Sequence, residues 1–266
     1  MGRLDGTVAV VVGAGQTPGQ TIGNGRATAV LFGREGAHVV AVDRDLGAAE
    51  ATVSAIRAEG GTALALAADI TVETDIVGFV SETVARLGRI DILHNNVGVS
   101  LAAGDSPVAA ITSEAFDRVT AINLRGMVMT CKHVLTVMQA QGSGVIVNIS
   151  SAATVTDYPN IAYKTSKAGV IALTENLAIT YAGYGIRVNC ILPGLMNTPM
   201  AIESRVGRDG LSREQVIALR DSKVPLGKQG TGWDVAEAAL FLASPQAGFI
   251  TGVALTVDGG QRLRIG

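Results

Sequence analysis

Tyr163 and Lys167 lie four positions apart in Ala162-Tyr163-Lys164-Thr165-Ser166-Lys167-Ala168. Within a helix those positions share a face, so an ammonium can lie beside a phenol. A phenol that titrates near ~10 moves protons poorly at neutral pH, and bringing it to about 7 takes roughly 4 kcal/mol. A cation about 4 Å away, at an effective dielectric of ~20, supplies an energy of that order. The pair can therefore act as an acid/base catalyst if the rest of the chain builds a site around it. Taken alone, the same spacing also describes a solvated helix face.

The elements that must position this pair follow a regular rhythm. Strand-like apolar runs cover residues 8–12, 38–42, 63–67, 90–94, 145–149, 187–191 and 254–257. Helical stretches at 25–35, 48–59, 73–87, 114–139, 162–181 and 235–243 separate them. This alternation predicts one α/β domain over residues 1–266, with a doubly wound parallel sheet of about seven strands and helices on both faces. Residues 198–229 break the rhythm: they are long, charged and placed after a strand end, which reads as a substrate lid.

The first strand runs into Gly13-Ala14-Gly15-Gln16-Thr17-Pro18-Gly19-Gln20-Thr21-Ile22-Gly23-Asn24-Gly25. A glycine-rich turn between a strand and a helix lets backbone amides and the helix dipole meet a pyrophosphate. The second strand ends at Asp43, eighteen positions after Gly25. A carboxylate there accepts the ribose hydroxyls of NAD and repels a 2′-phosphate. A helix N-cap is the plainer reading of the same residue. Arg44 follows and favours NADP, but the acid at the strand tip outweighs it, so NAD is expected.

Composition narrows the remaining classes. The chain has 266 residues, 48% of them hydrophobic, and a formal net charge of −2. No basic block suggests nucleic acid, and no polybasic helix suggests a membrane surface. Cys131 and Cys190 are the two cysteines, without the spacing of a disulfide scaffold or a zinc site, and no metal is expected. The apolar run at residues 8–12 is too short for a membrane or signal segment, so a reduced, cytoplasmic protein is expected.

Further motifs complete a resemblance. Asp91-Ile92-Leu93-His94-Asn95-Asn96-Val97-Gly98, Ala121-Ile122-Asn123-Leu124, Val147-Asn148-Ile149-Ser150-Ser151, Arg187-Val188-Asn189-Cys190-Ile191-Leu192-Pro193-Gly194 and Gly252-Val253-Ala254-Leu255-Thr256-Val257-Asp258-Gly259-Gly260 occur in order around Tyr163 and Lys167. Over almost its full length the chain resembles the short-chain dehydrogenase/reductase family, which implies a single-domain Rossmann fold. The resemblance assigns Tyr163 as proton donor and acceptor, Lys167 as the group that lowers its pKa and binds the nicotinamide ribose, and Ser151 as the hydrogen-bond donor to the substrate oxygen. It gives Asn123 a water that links Lys167 to solvent. It puts Asp69 and Ile70 at the adenine, Asn95 and Gly98 at the cofactor ribose, and Pro193, Gly194 and Thr198 at the nicotinamide amide. It also implies a homotetramer built on the helices at 114–139 and 162–181.

The chain departs from the family pattern in two places. The glycine loop exceeds the family's T-G-x-x-x-G-x-G by about six residues, and Val12 stands where the threonine is expected. Aligning on the helix start selects Gly13, Gly23 and Gly25, while Gly13, Gly15 and Gly19 form a rival set. Twelve residues separate Ser151 from Tyr163 where thirteen is common, a separation that Ser150 restores. Strand alternation allows only one of the two serines to face the substrate, and Ser151 is preferred.

Bland readings are preferred for several other residues. Lys164 is expected to be solvated, His94 and His133 to be packing or surface residues, and Trp233 to pack at a helix start. The lid arginines Arg205, Arg208, Arg213 and Arg220 are read as a solvated face rather than a grip on an anionic substrate. The expected activity is an NAD(H)-dependent oxidoreductase that interconverts a secondary alcohol and a ketone. A 3-oxoacyl-carrier-protein reductase ranks second, because residues 138–144 carry no charge to dock an acidic carrier. A non-catalytic dinucleotide-sensing protein on the same fold is the rival from another class.

Overall fold

The computed structural model describes residues 2–207 and 210–264. Seven parallel strands form one sheet in the order β3-β2-β1-β4-β5-β6-β7. They are β1 (Val8–Val12), β2 (His38–Asp43), β3 (Thr62–Ala67), β4 (Ile92–Asn95), β5 (Gly144–Ile149), β6 (Ile186–Pro193) and β7 (Ala254–Val257). Alternate residues of a strand point to opposite faces, and β1 supplies both cores. Ala9 and Val11 pack with helices α1 (Asn24–Arg34), α2 (Leu46–Ala58) and α9 (Gly232–Ala243). Val8, Val10 and Val12 pack with α3 (Glu73–Leu87), α5 (Gly126–Gln141) and α6 (Ile161–Tyr181). The fold is thus a single-domain, doubly wound α/β sandwich of the Rossmann type.

The chain leaves β1 toward β2 on one side and returns beside it as β4 on the other. Such a reversal opens a crevice at the carboxyl ends of the strands. A cleft of about 1350 Å³ occupies that position, larger than the roughly 300–1,000 Å³ of a single small-ligand pocket.

Two predicted elements are subdivided. The helix expected at 114–139 is α4 (Ser113–Thr120), a π turn (Ala121–Arg125) and α5. A π turn adds a residue to the helix and is frequent at functional sites. Residues 198–229 hold two short helices, α7 (Pro199–Glu203) and α8 (Arg213–Asp221), which border the cleft. Among the described residues, no helix is long and apolar enough to cross a membrane.

Candidate active site

Strand β5 and helix α6 meet at one end of the cleft. The Ser150 hydroxyl donates to the Lys167 carbonyl at 2.8 Å and is buried against α6. Ser151, one residue on, faces the cleft beside Tyr163, and its Oγ accepts the Ala153 N–H at 3.1 Å. Both serines border the cleft, but Ser150 spends its hydroxyl on the α6 backbone while Ser151 meets Tyr163.

Lys167 is 2% exposed, and its Nζ donates to the Ile149 carbonyl at 2.8 Å and the Val97 carbonyl at 3.4 Å. Its Nζ lies 5.9 Å from the centre of the Tyr163 ring. Burial lowers the ammonium to about 8. Burial also pushes the Tyr163 phenol up to about 12, and the Ser151 hydroxyl and the Arg205 charge oppose this rise. Among the protein's own groups, burial dominates the phenol, and Ser151 and Arg205 rather than Lys167 oppose it. The ammonium is spent on two carbonyls, and desolvation penalises the charged form of both residues.

The residues that position this pair are partly new. Asn160 precedes α6 without capping it through its side chain. Asp105, 5% exposed, does so from a distant loop: Oδ1 accepts the Ala162 N–H at 3.0 Å and Oδ2 the Tyr163 N–H at 3.2 Å. Oδ2 also accepts the Ser100 hydroxyl at 3.0 Å, and Ser100 Oγ lies 2.8 Å from the Tyr158 hydroxyl. A hydroxyl has one proton, so Tyr158 donates to Ser100 while Ser100 donates to Asp105. The Tyr158 ring in turn lies 5.5 Å from that of Tyr163. Nothing in the sequence separates Asp105 from any other loop aspartate, since its partners are 57 and 58 positions away.

Asn123 sits on the π turn and reaches the loop after β4. Its Oδ1 accepts the Val99 N–H at 2.8 Å, and its Nδ2 donates to the Val99 carbonyl at 2.9 Å and Ser166 Oγ at 3.1 Å. Its side chain is fully buried and does not line the cleft. The amide therefore clamps the backbone of the loop after β4. Gly98 borders Lys167: a Cβ there would stand 3.0 Å from Nζ, so glycine leaves the room the ammonium occupies.

The far end of the cleft is built from β1, β2 and the start of α1. Gly13 has φ +79°, a conformation glycine adopts freely, and a Cβ on Gly25 would lie 2.0 Å from the Gly13 carbonyl oxygen. Gly13, Gly15, Gly23 and Gly25 line the cleft, whereas Gly19 packs on Pro199 and Glu203 of α7. Asp43 Oδ2 accepts the Gly15 N–H at 2.9 Å, and Oδ1 accepts the Asp45 N–H at 3.1 Å. Gln16 Oε1 accepts the Gly23 N–H at 2.9 Å. No acid occupies the first turn of α1, which keeps its positive end open to an anion.

Asp69 and Ile70 line the same end. Hydrogen bonds from the Thr71 hydroxyl and N–H hold the Asp69 carboxyl below its ordinary range, with Arg44 adding to the effect. Pro193, Gly194 and Thr198 line the middle of the cleft. The residues present fit a dinucleotide: a glycine cradle at an uncapped helix N-terminus, carboxylates at one end, and Lys167 with Tyr163 at the other.

Asn95 requires correction. It does not line the cleft; its Nδ2 turns into the core and donates to Asn148 Oδ1 at 2.9 Å and Cys131 Sγ at 3.4 Å. Asn96 faces the cleft instead, and its Nδ2 donates to the Gly13 carbonyl at 3.0 Å. The two successive side chains point to opposite sides, and the cofactor-facing one is the second.

Lys164 is half-buried and donates to the Thr156 carbonyl at 2.8 Å, so it is not the solvated residue expected. His94 is buried, as expected of a packing residue, and desolvation lowers it to about 3. His133 lies on the surface 2.8 Å from Glu73, and the Arg34 guanidinium stacks 4.7 Å over Trp233 at the start of α9. Arg220 departs furthest from expectation: it is 8% exposed and lines the cleft. Arg205 lines it too, half-buried, while Arg208 lies outside the described residues.

A seven-stranded parallel sheet, a glycine cradle at its switch point, and serine, tyrosine and lysine on β5 and α6 define the class. The chain belongs to the short-chain dehydrogenase/reductase family of oxidoreductases. A family model described as Enoyl-(Acyl carrier protein) reductase matches residues 19–262. The chain is 38% identical to the 2-(R)-hydroxypropyl-CoM dehydrogenase of Xanthobacter autotrophicus (strain ATCC BAA-1158 / Py2), over 95% of this chain and 97% of that protein. It superposes on a crystal structure assigned to the short-chain dehydrogenase/reductases from Burkholderia xenovorans with TM-score 0.94 and 41% identity, covering 100% of both chains. It also superposes on a crystal structure of NAD+-bound xylitol dehydrogenase with TM-score 0.86 and 35% identity, covering 97% of this chain and 99% of the other.

Proposed function

We propose that this protein is an NAD(H)-dependent oxidoreductase that interconverts a secondary alcohol and a ketone. The observation that carries the reading is the single cleft that joins Ser151, Tyr163 and Lys167 to a glycine cradle and Asp43. When bound, the oxidised nicotinamide supplies a two-electron acceptor and a positive charge that favours the phenolate. Tyr163 takes the hydroxyl proton in oxidation and returns it in reduction. Ser151 holds the reacting oxygen and stabilises its developing charge. Lys167 and Gly98 frame the ribose next to the nicotinamide, and Pro193, Gly194 and Thr198 orient its amide. Asn123 acts by holding the Val97–Val99 backbone against which Lys167 is packed.

Asp43 with Asp69 supports NAD over NADP, because two carboxylates at the adenosine end repel a 2′-phosphate. Gly13, Gly23 and Gly25 form the pyrophosphate cradle, and the loop between them is longer than the family pattern. Residues 198–229 serve as the lid. Four chains assemble through α4, α5 and α6, a surface that includes Phe116 and Ile179, 37% and 80% exposed in the single chain.

The test is a panel of secondary alcohols and ketones assayed with NAD+/NADH and NADP+/NADPH in parallel, with wild type and Tyr163→Phe. Wild type turns over with NAD+, and Tyr163→Phe loses turnover while it binds NADH with nearly unchanged affinity. Retained turnover in Tyr163→Phe refutes the catalytic assignment. Tight NADH binding without turnover of any panel member refutes the enzyme reading and favours a dinucleotide sensor.

A further inference from the structure

We propose that the lid end of the cleft holds an anionic head group of the substrate, a carboxylate, sulfonate or phosphate, between the guanidinium groups of Arg205 and Arg220. The proposal rests on the alcohol–ketone reading and names the chemical class of its substrate.

Both arginines line the cleft that contains Tyr163 and Ser151, and both are tied only to neutral acceptors. Arg220 donates from Nε to Gln229 Oε1 at 2.5 Å and from Nη2 to the Met196 carbonyl at 3.1 Å. Arg205 donates from Nη1 to the Ala201 carbonyl at 2.7 Å and Ser204 Oγ at 3.3 Å. A guanidinium has five N–H bonds, so two are used on each and three remain. Among the described residues, neither forms an ion pair. The nearby acids are already engaged: Glu203 pairs with Arg213 at 3.2 Å, and Asp221 accepts the Gln229 N–H at 2.9 Å.

Two cations at one end of the cleft with no salt bridge to either are unfavourable. Burial and the Arg205 charge together lower Arg220 to about 10, and the Asp221 charge only partly opposes the fall. An anion seated between the two would relieve both costs, with charge-assisted hydrogen bonds from two rigid forks. The distribution of carboxylates agrees. Those lining the cleft are Asp43, Asp45 and Asp69 at the dinucleotide end and the exposed Asp157 at the mouth. Arg205 lines the same cleft as Tyr163, and its charge opposes the rise of the phenol.

The experiment compares hydroxycarboxylates of increasing length with their primary amides, and with sulfonates and phosphates of matched length, each with NAD+. Wild type favours one anionic series over the amides, and the preferred series identifies the head group. Arg205→Gln lowers kcat/KM about 10- to 100-fold on that series, the value of a charge-assisted hydrogen bond, and leaves the amides unchanged. Arg220→Lys, which keeps the charge and loses the fork, falls between them. Amides turned over as well as the acids, or an equal loss on both in Arg205→Gln, overturns the proposal. Calorimetry of unreactive butyrate and propanesulfonate against the enzyme–NADH complex reads the site without turnover. Anion binding abolished by Arg205→Gln in an enzyme that oxidises no alcohol would retain the anion site and refute the alcohol–ketone activity.

Discussion

Asp105→Asn removes the charge that starts the catalytic helix while it keeps the side-chain shape. The carboxylate accepts from three donors: the Ala162 and Tyr163 amides and the Ser100 hydroxyl. An asparagine has one acceptor oxygen, so whichever way it turns, its NH2 faces at least one helix amide. One buried amide left unpaired costs about 1–3 kcal/mol. The lost negative charge at the helix N-terminus adds roughly 0.3–1 kcal/mol. Together these amount to about 1–4 kcal/mol, and each kcal/mol shifts Tm by about 2–4 °C in a domain of this size. A melt near pH 7 should fall by on the order of 3–15 °C. Whichever first-turn amide is released, Ala162 or Tyr163, the start of α6 loosens around the phenol, and a shift of about 1 Å can cost ~100-fold in rate. Asp43 and the glycine cradle are untouched, so kcat falls while KM for NAD stays within about twofold. A Tm and kcat both equal to wild type would refute the capping role. An equal loss of kcat and cofactor affinity would refute the claim that the effect is local to Tyr163.

The serine assignment separates by turnover: Ser151→Ala should lower kcat by about 100-fold or more, with some loss of melt from the unpaired Ala153 amide. Ser150→Ala should instead lower the melt by roughly 1 kcal/mol of lost hydrogen bond and retain most turnover, and the opposite pattern would reverse the assignment. Lys167 predicts a pH dependence of stability. Its folded pKa of about 8 lies below the ordinary ~10.4, so the unfolded chain binds more protons between those values and stability rises with pH in that window. The penalty is fully present below pH ~8 and is on the order of 3 kcal/mol. Tyr163 acts oppositely and later, since its raised pKa removes stability between about 10 and 12. Chemical denaturation of wild type and Lys167→Met from pH 7 to 10 should show wild type gaining relative to the variant; parallel curves would refute the depressed lysine.

The Tyr163–Lys167 pair and the sheet were readable because their signals are local. Tyr163 and Lys167 need only helical spacing, and the bounds of β1, β7 and α3 follow from apolar runs and periodicity. The choice of Ser151 over Ser150 needed strand alternation and the place where β5 ends, which a sequence limits to two candidates. Asn95 was misassigned for the same kind of reason: one position decides whether a side chain at a strand end enters the core or the cleft. The π turn was invisible because no local pattern marks it, and the contact its Asn123 makes with Val99 spans 24 positions.

The sequence by itself determined the α/β alternation, the glycine turn and acid of a dinucleotide site, and the presence of Ser151, Tyr163 and Lys167. Each rests on contacts between near neighbours or on the period of one element. The tertiary structure alone decided that Asp105 caps the catalytic helix, that Asn96 rather than Asn95 meets the glycine loop, and that Arg220 is buried beside Arg205 in the cleft. Those facts depend on which loops the sheet order brings together. Burial then decides whether a charged side chain is a solvated surface group or a cation inside the cleft.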